Sequence, residues 1–519
     1  MADVMPVSRS AASLLTSRLA VAGIALLFLG VSTRLLTLKE MAVFALYSTL
    51  CGLLTPVCSM GLLTTCIKLL PGLLANDDRA GAALLLRRAA FVYVTGASVV
   101  TAALMLGAGL IGRLLLKSSD LAGDVRGACL AAFCFGLYEA SQLLLSALQR
   151  FGRVGAYNVT SALTQRILSL GLFFVFGLRG YLAGFAIGSL AGAALGIATI
   201  VPIMRKDGWS PEGSGASDKG TIGTIIYSLP FYADGYLRYF YMQADQLLVA
   251  LFLGPSELSL YFVAKRFIQY AQVLVSSLVD PLATKAAELR ETDPASLERT
   301  FAVSLRYFVL LFVPLSVLLA TTSPFLLLLV GGEQYASAAW ALALLFLSVP
   351  FFAVFSHLWT FAYVLGRPAD RLTINLVSSF SQAAAIMAMM PFLHLAGLAL
   401  ARAVGFAAAA VFARRCLARR LPAAAHRVEL SAGLACLGPV AAMAAIVIVP
   451  HLIIGRPLLI PVYAVPAVAV CAAWYFKAVL TPQDRAELAR LVPGQGRASS
   501  SLRTVLARGA AAAAGHDRI

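Results

Sequence analysis

Long apolar segments alternate with short polar connections along almost the whole chain. Each apolar segment holds about 20 residues or more, the length that a helix needs to cross the hydrocarbon core of a bilayer. The segments lack the strict alternation of apolar and polar residues that is typical of membrane β-strands. The pattern therefore predicts an all-α polytopic membrane protein with about 14 transmembrane helices. The predicted spans lie near residues 12–33, 41–67, 86–112, 127–148, 155–177, 181–204, 230–253, 257–283, 301–329, 336–365, 370–391, 395–416, 430–453 and 457–480.

Two pairs of similar segments within the chain, which we call echoes, indicate that the first twelve spans form a repeat. Leu182–Gly192 resembles Leu395–Gly405 at a separation of 213 residues. Lys39–Phe44 resembles Ser256–Tyr261 at a separation of 217 residues. A unit with an even number of helices keeps its orientation when it repeats, so we predict two parallel six-helix lobes with a cleft between them, followed by two extra helices. The predicted domains are 1–210 for spans 1 to 6, 221–420 for spans 7 to 12, 428–480 for the last two spans and 481–519 for a basic tail.

Composition and charge agree with a membrane location. Hydrophobic residues make up 60% of the chain, whereas soluble domains contain about half. The formal charge of +17 is spread singly and in pairs between apolar segments, which argues against nucleic-acid binding. If the N-terminus is cytoplasmic, basic residues favour the cytoplasmic connections by roughly four to one, as the positive-inside rule requires. We therefore predict a protein of the cytoplasmic (inner) membrane with both termini in the cytoplasm and the tail from Thr481 near anionic lipid.

The connections and the cysteines limit the possible chemistry. The connections are short, so the chain has no room for a soluble catalytic domain. The eight cysteines show no metal-ligand spacing. We predict a protein that is not an enzyme and that has no metal site and no cofactor.

Charged and polar residues form two stripes within the apolar spans 230–253 and 257–283. On the first helix the stripe contains Tyr227, Asp234, Arg238, Tyr241 and Asp245. On the second helix it contains Lys265, Gln269, Gln272 and Ser276. A charge in the bilayer centre is costly, by about 3 kcal/mol on insertion scales, so such stripes should face protein or a water-filled cavity. The two stripes predict a polar pathway between helices.

The same region carries a resemblance to a known family. Asp245–Gly254, Glu257–Tyr261, Ala264–Arg266 and Asp280–Pro281 are similar to the seventh-to-eighth-helix signature of bacterial polysaccharide flippases. These flippases belong to the multidrug/oligosaccharidyl-lipid/polysaccharide (MOP) exporter superfamily, which also contains the MATE exporters. The similarity extends from about residue 12 to residue 416, although Leu36–Glu40 replaces the short glycine-containing turn that is usual between the first two helices.

The resemblance implies a function and a set of partners. It implies a MATE-like fold and the translocation of undecaprenyl-diphosphate-linked oligosaccharide across the cytoplasmic membrane by alternating access. The product would serve the biosynthesis of a surface polysaccharide such as O-antigen or exopolysaccharide. The implied partners are the lipid-linked glycan, membrane lipids, and a polysaccharide polymerase with chain-length or export proteins.

Such a substrate needs cationic groups for its phosphates and polar or aromatic surfaces for its sugars. Arginine suits the first task because its planar fork can bind phosphate oxygens bidentately. The cationic candidates for the cavity are Arg34, Arg166, Arg238, Lys265, Arg266 and Arg402. The alternative for each is a structural ion pair or a side chain that reaches the headgroups. Tyr227 and Tyr241 are candidates for sugar contacts, although aromatic residues also anchor helices at the interface.

Three acidic residues are candidates for coupling transport to an ion gradient. Asp245, Glu139 and Asp234 lie within predicted spans, where a carboxylate can bind H⁺ or Na⁺. Each can instead neutralise a nearby arginine, as Asp234 and Arg238 can do at the i,i+4 spacing.

Two other functions compete with the flippase. A cation-coupled multidrug exporter of the MATE type would need a cavity dominated by carboxylates and apolar surface. A membrane-embedded glycan polymerase or glycosyltransferase would need a sizeable external loop or paired acidic residues near a span end. The excess of basic over acidic candidates favours an anionic substrate, and hence the flippase.

Overall fold

The computed structural model describes residues 4–118, 120–148, 151–206, 220–365, 368–418 and 424–480. Within these ranges the chain is helical and contains no strand. The helices are α1 Val4–Leu35, α2 Leu38–Ser59, α3 Leu62–Ala75, α4 Arg79–Leu106, α5 Ala108–Leu115, α6 Ala122–Ala147, α7 Phe151–Lys206, α8 Gly220–Phe252, α9 Pro255–Thr292, α10 Pro294–Thr321, α11 Ser323–Gly331, α12 Ala339–Leu347, α13 Val349–Leu365, α14 Pro368–Ala418, α15 Ala424–Ile454 and α16 Ile460–Trp474. Short 3₁₀ turns at Glu333–Ala338 and Pro457–Leu459 and a π-helical turn at Tyr475–Val479 complete the described part.

The length and composition of the helices are those of a polytopic membrane protein. Among the described residues, nine helical segments are long and apolar enough to cross a bilayer. Two of them, α7 and α14, each contain two helices joined at a non-helical residue, Gly177 and His394 respectively. The helices α8 and α9 fall outside this group, although they are 33 and 38 residues long. The all-α membrane prediction is confirmed, and the number fourteen stays a prediction.

Four predicted spans are divided: 86–112 at Gly107, 301–329 at Thr322, 336–365 at Ser348, and 41–67 at a sharp turn. The sequence predicts an unbroken helix over 41–67, but α2 ends at Ser59 and α3 starts at Leu62. Met60 and Gly61 adopt left-handed backbone angles, with φ of 46° and 76°. A Cβ atom at Gly61 would lie 2.5 Å from the carbonyl oxygen of Ser228. The missing side chain of Gly61 therefore allows α8 to pack closely against the break, a contact that hydropathy cannot reveal.

The helices of the first half recur in the second half at one constant spacing along the chain. The first half is α1–α7 and the second half is α8–α14. Leu38 begins α2 and Pro255 begins α9, while the turns at Gly177 and His394 have the same spacing. This spacing is also that of the echo between Lys39–Phe44 and Ser256–Tyr261.

The glycine contacts follow the same spacing. A Cβ at Gly180 would lie 2.0 Å from the carbonyl oxygen of Leu172, and a Cβ at Gly397 would lie 2.6 Å from that of Met389. The echo that begins at Lys39 is thus in register with the repeat. The echo that begins at Leu182 was wrong by about one helical turn, because small apolar residues recur every turn in both of its segments.

The last two helices pack on the outside of the second half. Val309 and Leu310 of α10 form a hydrophobic cluster with Cys436 and Val440 of α15. The inter-half cavity described below has no lining residue from the described parts of α15 or α16. Among the described residues the cavity is therefore lined from α1–α14 alone.

Candidate functional site

A cavity of about 820 Å³ lies between the two halves. Its walls come from α1, α6 and α7 of the first half and from α8, α9, α13 and α14 of the second. Gln269, Gln272 and Ser276 line it, so three of the four residues in the predicted polar stripe of α9 face a cavity, whereas Lys265 does not. A smaller cavity of about 400 Å³ lies between α2, α6 and α8, and Met242 lines both.

The two halves are held together at one end of the bundle. We call this the closed end, where α1 passes into α2 and α8 into α9. Among the described residues, five hydrogen bonds there run from a side chain of one half to a backbone carbonyl of the other. They are Thr33 Oγ1 to Val330 (2.6 Å), Arg34 Nη2 to Leu329 (2.8 Å), Lys117 Nζ to Leu251 (2.7 Å), Gln334 Nε2 to Thr33, and Ser259 Oγ to Leu38. These bonds close the space between the halves at this end.

The two sides of the cavity differ in chemistry. On one side, α2 and α8 are joined by hydrogen bonds along their length. These bonds are Thr49 Oγ1 to Gln246 Oε1 (2.6 Å), Tyr239 OH to the Thr49 carbonyl (3.2 Å) and Ser228 Oγ to the Met60 carbonyl (2.7 Å). On the other side, α1 contributes only Val21, Ala22 and Ala25 to the lining among the described residues. The α1 side is therefore an apolar wall.

Asp245, Lys265 and Arg402 meet in a buried cluster inside the second half. Lys265 Nζ and Arg402 Nη1 both donate to the Asp245 carboxylate, the latter at 3.0 Å. Tyr261 OH donates to the same carboxylate at 2.6 Å, and the backbone N–H of Gln246 does so at 2.9 Å. The three charged side chains are each 1% exposed. The sequence predicted two phosphate ligands and one coupling carboxylate; the structure brings these three residues to one another.

Arg266 and Arg166 do not line the cavity but lie next to residues that do, Gln269 and Tyr270, and neither has an acidic partner among the described residues. Arg266 donates to Ser48 Oγ at 2.6 Å and to Gln269 Oε1 at 2.9 Å, and its guanidinium lies 4.7 Å from the centre of the Phe262 ring. Arg166 donates to the carbonyl of Ala162 in its own helix at 2.9 Å, and its Nε has no hydrogen-bond partner within the described ranges.

These two guanidinium groups are close enough to repel each other, and Tyr270 interacts electrostatically with both. No ion pair involves either arginine in the part of the chain that the structure describes. Two partly buried positive charges without a counter-charge form a site that attracts an anion.

Glu139 has a different environment from Asp245. Its carboxylate accepts a hydrogen bond from Thr55 Oγ1 and lines the smaller cavity together with Ser59, Tyr239 and Gln243. Within the described residues it has no ion pair. It is therefore a carboxylate at a cavity wall with a hydroxyl partner and no described cation to neutralise it.

The remaining candidates separate into two groups. Arg34 is exposed at the closed end, where it bonds to the carbonyls of Gly30 and Leu329. The backbone of α8 is described, but the side chains of Tyr227, Asp234, Arg238 and Tyr241 lie outside the described residues. Their predicted roles stay predictions.

Some residues of the site were missed from the sequence. Ser48 and Tyr270 accompany Arg266, and Trp359 lines the cavity from α13. The i,i+4 spacing of Arg266 and Tyr270 was the available signal. No local pattern indicates Ser48, because it reaches Arg266 from a helix 218 residues away.

Comparison with known proteins identifies the family. A family model described as polysaccharide biosynthesis protein matches residues 31–340. The chain belongs to that family. A search of curated protein sequences gave no match. Membership in this family places the chain in polysaccharide biosynthesis.

Solved structures of MOP superfamily transporters share the fold. The lipid II flippase MurJ in an inward closed conformation has a TM-score of 0.69 at 13% identity, covering 89% of this chain and 97% of that chain. An inward-facing MATE multidrug transporter has a TM-score of 0.65 at 13% identity, covering 80% and 96%. A MOP superfamily transporter from Pyrococcus furiosus, described as having a binding pocket of reverse polarity, has a TM-score of 0.57 at 12% identity, covering 79% and 96%. The polysaccharide biosynthesis protein thus has the fold of flippases and multidrug transporters of the MOP superfamily.

Proposed function

We propose that the protein flips an undecaprenyl-diphosphate-linked oligosaccharide across the cytoplasmic membrane for the biosynthesis of a surface polysaccharide. The observation that carries this proposal is the pair Arg166 and Arg266, two guanidinium groups beside the inter-half cavity without an acidic partner among the described residues. Guanidinium groups bind phosphate oxygens through paired N–H donors. A diphosphate carries the opposite charge to this pair and has enough oxygens to engage both.

The direction of transport follows from the charge distribution. The basic connections favour the end opposite the closed end as the cytoplasmic side, with both termini there. The closed end then faces outward, and the cavity receives substrate from the cytoplasmic leaflet. Parting of the closed end and joining of the other end would release the substrate to the outer leaflet, which is alternating access. The apolar α1 wall, with Val21 and Ala25, offers a path for the polyprenyl tail.

Glu139 is our candidate for the coupling site, with H⁺ or Na⁺ as the ion. It is a carboxylate at a cavity wall with a hydroxyl ligand and no cationic partner within the described residues, which supports exchange of an ion with the cavity. Asp245 is surrounded by two cations, so its surroundings support a structural role. Lys265 and Arg402 are engaged by Asp245, which leaves Arg166 and Arg266 as the better phosphate ligands.

The cation-coupled multidrug exporter is the competing proposal within the superfamily. It requires negative charge in the main cavity, and none of the described lining residues of the 820 Å³ cavity is acidic. The positive pair beside the cavity favours an anionic substrate instead.

Substitution of Arg266 tests the proposal. Arg266→Ala and Arg166→Ala, expressed in a strain that lacks the gene, should cause lipid-linked glycan to accumulate and surface polysaccharide to disappear. Arg266→Lys should retain part of the activity, because lysine keeps the positive charge but lacks the planar guanidinium group that binds phosphate bidentately. Arg299→Ala, an exposed arginine of α10, is the matched control and should behave as the unsubstituted protein. Normal surface polysaccharide from both alanine variants would overturn the phosphate site.

A further inference from the structure

We infer that the α9–α13 wall of the cavity, built around Trp359 and Gln272, is a subsite for an uncharged sugar next to the diphosphate. This inference rests on the proposed function and deepens it, because it names the class of saccharide that the cavity selects. It comes from four features of the wall: its lack of charge, two buried polar atoms without partners among the described residues, a fixed aromatic ring, and its distance from Arg266.

The cavity lining is polar but uncharged. Amide groups of Gln272 and Gln269 and hydroxyl groups of Ser356 and Thr360 line the second-half wall, and no described lining residue carries a charge. Pockets of this kind orient a ligand with a few placed polar groups on an aromatic and apolar surface. A neutral sugar, which has hydroxyl groups around an apolar ring face, matches such a lining. A sugar carboxylate would have to give up its hydration there, because no described lining residue is a cation and Arg371, which contacts the Trp359 ring, is not among the lining residues.

Two buried polar atoms at this wall lack hydrogen-bond partners within the described part of the chain. They are the Gln272 Oε1 acceptor and the Trp359 Nε1 donor. A buried polar group without a partner costs about 1–3 kcal/mol. A sugar hydroxyl both donates and accepts, so the hydroxyl groups of a saccharide can bond to both atoms after small side-chain shifts.

The Trp359 ring is held in place before any ligand binds. Tyr363, one turn later on α13, stacks on it with an interplanar angle of 13° and a centroid distance of 6.1 Å. The guanidinium of Arg371 lies 4.5 Å from the Trp359 ring centre and 4.9 Å from that of Tyr363. A ring fixed from outside the cavity loses little rotamer freedom on binding. It therefore offers a preorganised surface for the C–H face of a sugar ring.

The subsite lies next to the proposed phosphate site. Gln269 accepts a hydrogen bond from Arg266, and Gln272 follows it three residues later on the same helix. At 1.5 Å per residue, the two amides are about 4.5 Å apart along the helix axis. A sugar attached directly to a diphosphate at Arg266 would therefore reach Gln272, which lines the same cavity as Trp359. The subsite should select the first sugars of the glycan, and not its distal end.

The tryptophans of the chain allow a direct test. The chain contains four tryptophans, so Trp209, Trp340 and Trp474 can be changed to Phe to leave Trp359 as the single emitter. Three probes are added to the purified protein: a short polyprenyl diphosphate, the same lipid with a neutral disaccharide, and the same lipid with a disaccharide that contains a uronic acid at the first position. We expect the neutral glycolipid to shift the Trp359 emission and to bind about tenfold more tightly than the bare diphosphate. The uronic acid probe should bind no better than the bare diphosphate.

Matched substitutions on opposite walls show where the sugar binds. Gln272→Leu should lower affinity for the neutral glycolipid about tenfold and leave affinity for the bare diphosphate unchanged, which also reports intact folding. Gln142→Leu, the same change on α6 across the cavity, should leave both affinities unchanged. Equal loss from the two variants would overturn the assignment of the sugar to the α9–α13 wall.

The probes also separate failure of this inference from failure of the proposed function. Equal binding of all three lipids with unchanged Trp359 emission, still dependent on Arg266, would overturn the sugar subsite and leave the flippase intact. No binding of any lipid diphosphate would overturn both.

Discussion

Replacing Asp245 by Asn should destabilise the second half of the protein rather than uncouple transport. The carboxylate is the only acidic partner of Lys265 and Arg402 in the described cluster, and all three side chains are 1% exposed. Asn has the shape of Asp but no charge. The buried cations Lys265 and Arg402 would then face each other and a neutral amide. Removing one partner from a buried ionic group costs about 3–5 kcal/mol, and we expect a loss of this size.

A triple variant separates the charge from the space that it fills. Replacing a complete buried ionic cluster by apolar residues of similar volume is often neutral or stabilising. The first half supports this expectation, because the positions that correspond to Asp245 and Arg402 in the repeat are Phe28 and Phe185, whose rings pack edge to face at 5.5 Å. Asp245→Leu combined with Lys265→Met and Arg402→Leu should therefore recover most of the stability that Asp245→Asn loses.

Thermal unfolding in detergent measures both effects, and gradient-dependent transport is then measured on whatever folded protein remains. We expect a large fall in melting temperature for Asp245→Asn and a near-normal value for the triple variant. A stable Asp245→Asn protein whose transport no longer depended on a proton or sodium gradient would refute this reasoning. It would restore Asp245 to the coupling role that the sequence predicted.

Three further outcomes follow from the structure. Glu139→Gln should fold normally and flatten the dependence of transport on the proton or sodium gradient in inverted vesicles; an unchanged dependence would exclude it as the coupling site. Gly180→Ala should greatly reduce the yield of folded protein in size-exclusion chromatography, because its Cβ would lie 2.0 Å from a backbone oxygen. Gly171→Ala is the control: its Cβ would meet no atom within 4 Å, so the yield should be unchanged. Thr33→Val removes one closed-end hydrogen bond, worth about 1 kcal/mol, and should raise the accessibility of a cysteine placed at that end to an impermeant maleimide roughly fivefold; no change would mean that this bond does not hold the end closed.

Local sequence information was sufficient to predict an all-α membrane protein. Hydropathy placed helices on both sides of the turns at Gly177 and His394, and helical periodicity put Gln269, Gln272 and Ser276 on the face that lines the cavity. Both inferences depend only on neighbours along the chain. Residues three and four positions apart share a helix face, so their polarity indicates whether that face is buried.

Contacts between distant helices could not be obtained in the same way. Asp245 and Arg402 are 157 residues apart, and nothing local distinguishes a buried arginine that faces a carboxylate from one that faces a substrate. Lys265 shares the α9 stripe with Gln269, yet it turns to Asp245 because a cation in a dry interior is stable only beside a counter-charge. Assigning roles to these charges needed the packing of α8, α9 and α14.

The five described hydrogen bonds of the closed end all have main-chain oxygens as acceptors. Such an oxygen at a helix end bonds to water as readily as to a hydroxyl, an amide or a guanidinium group. If the halves separated, no carbonyl oxygen would lack a hydrogen-bond partner, because water could replace each side-chain donor. The closed-end hydrogen bonds can therefore break and re-form at low energetic cost. Substitutions of the residues that supply the acceptors leave their backbone carbonyl oxygens in place.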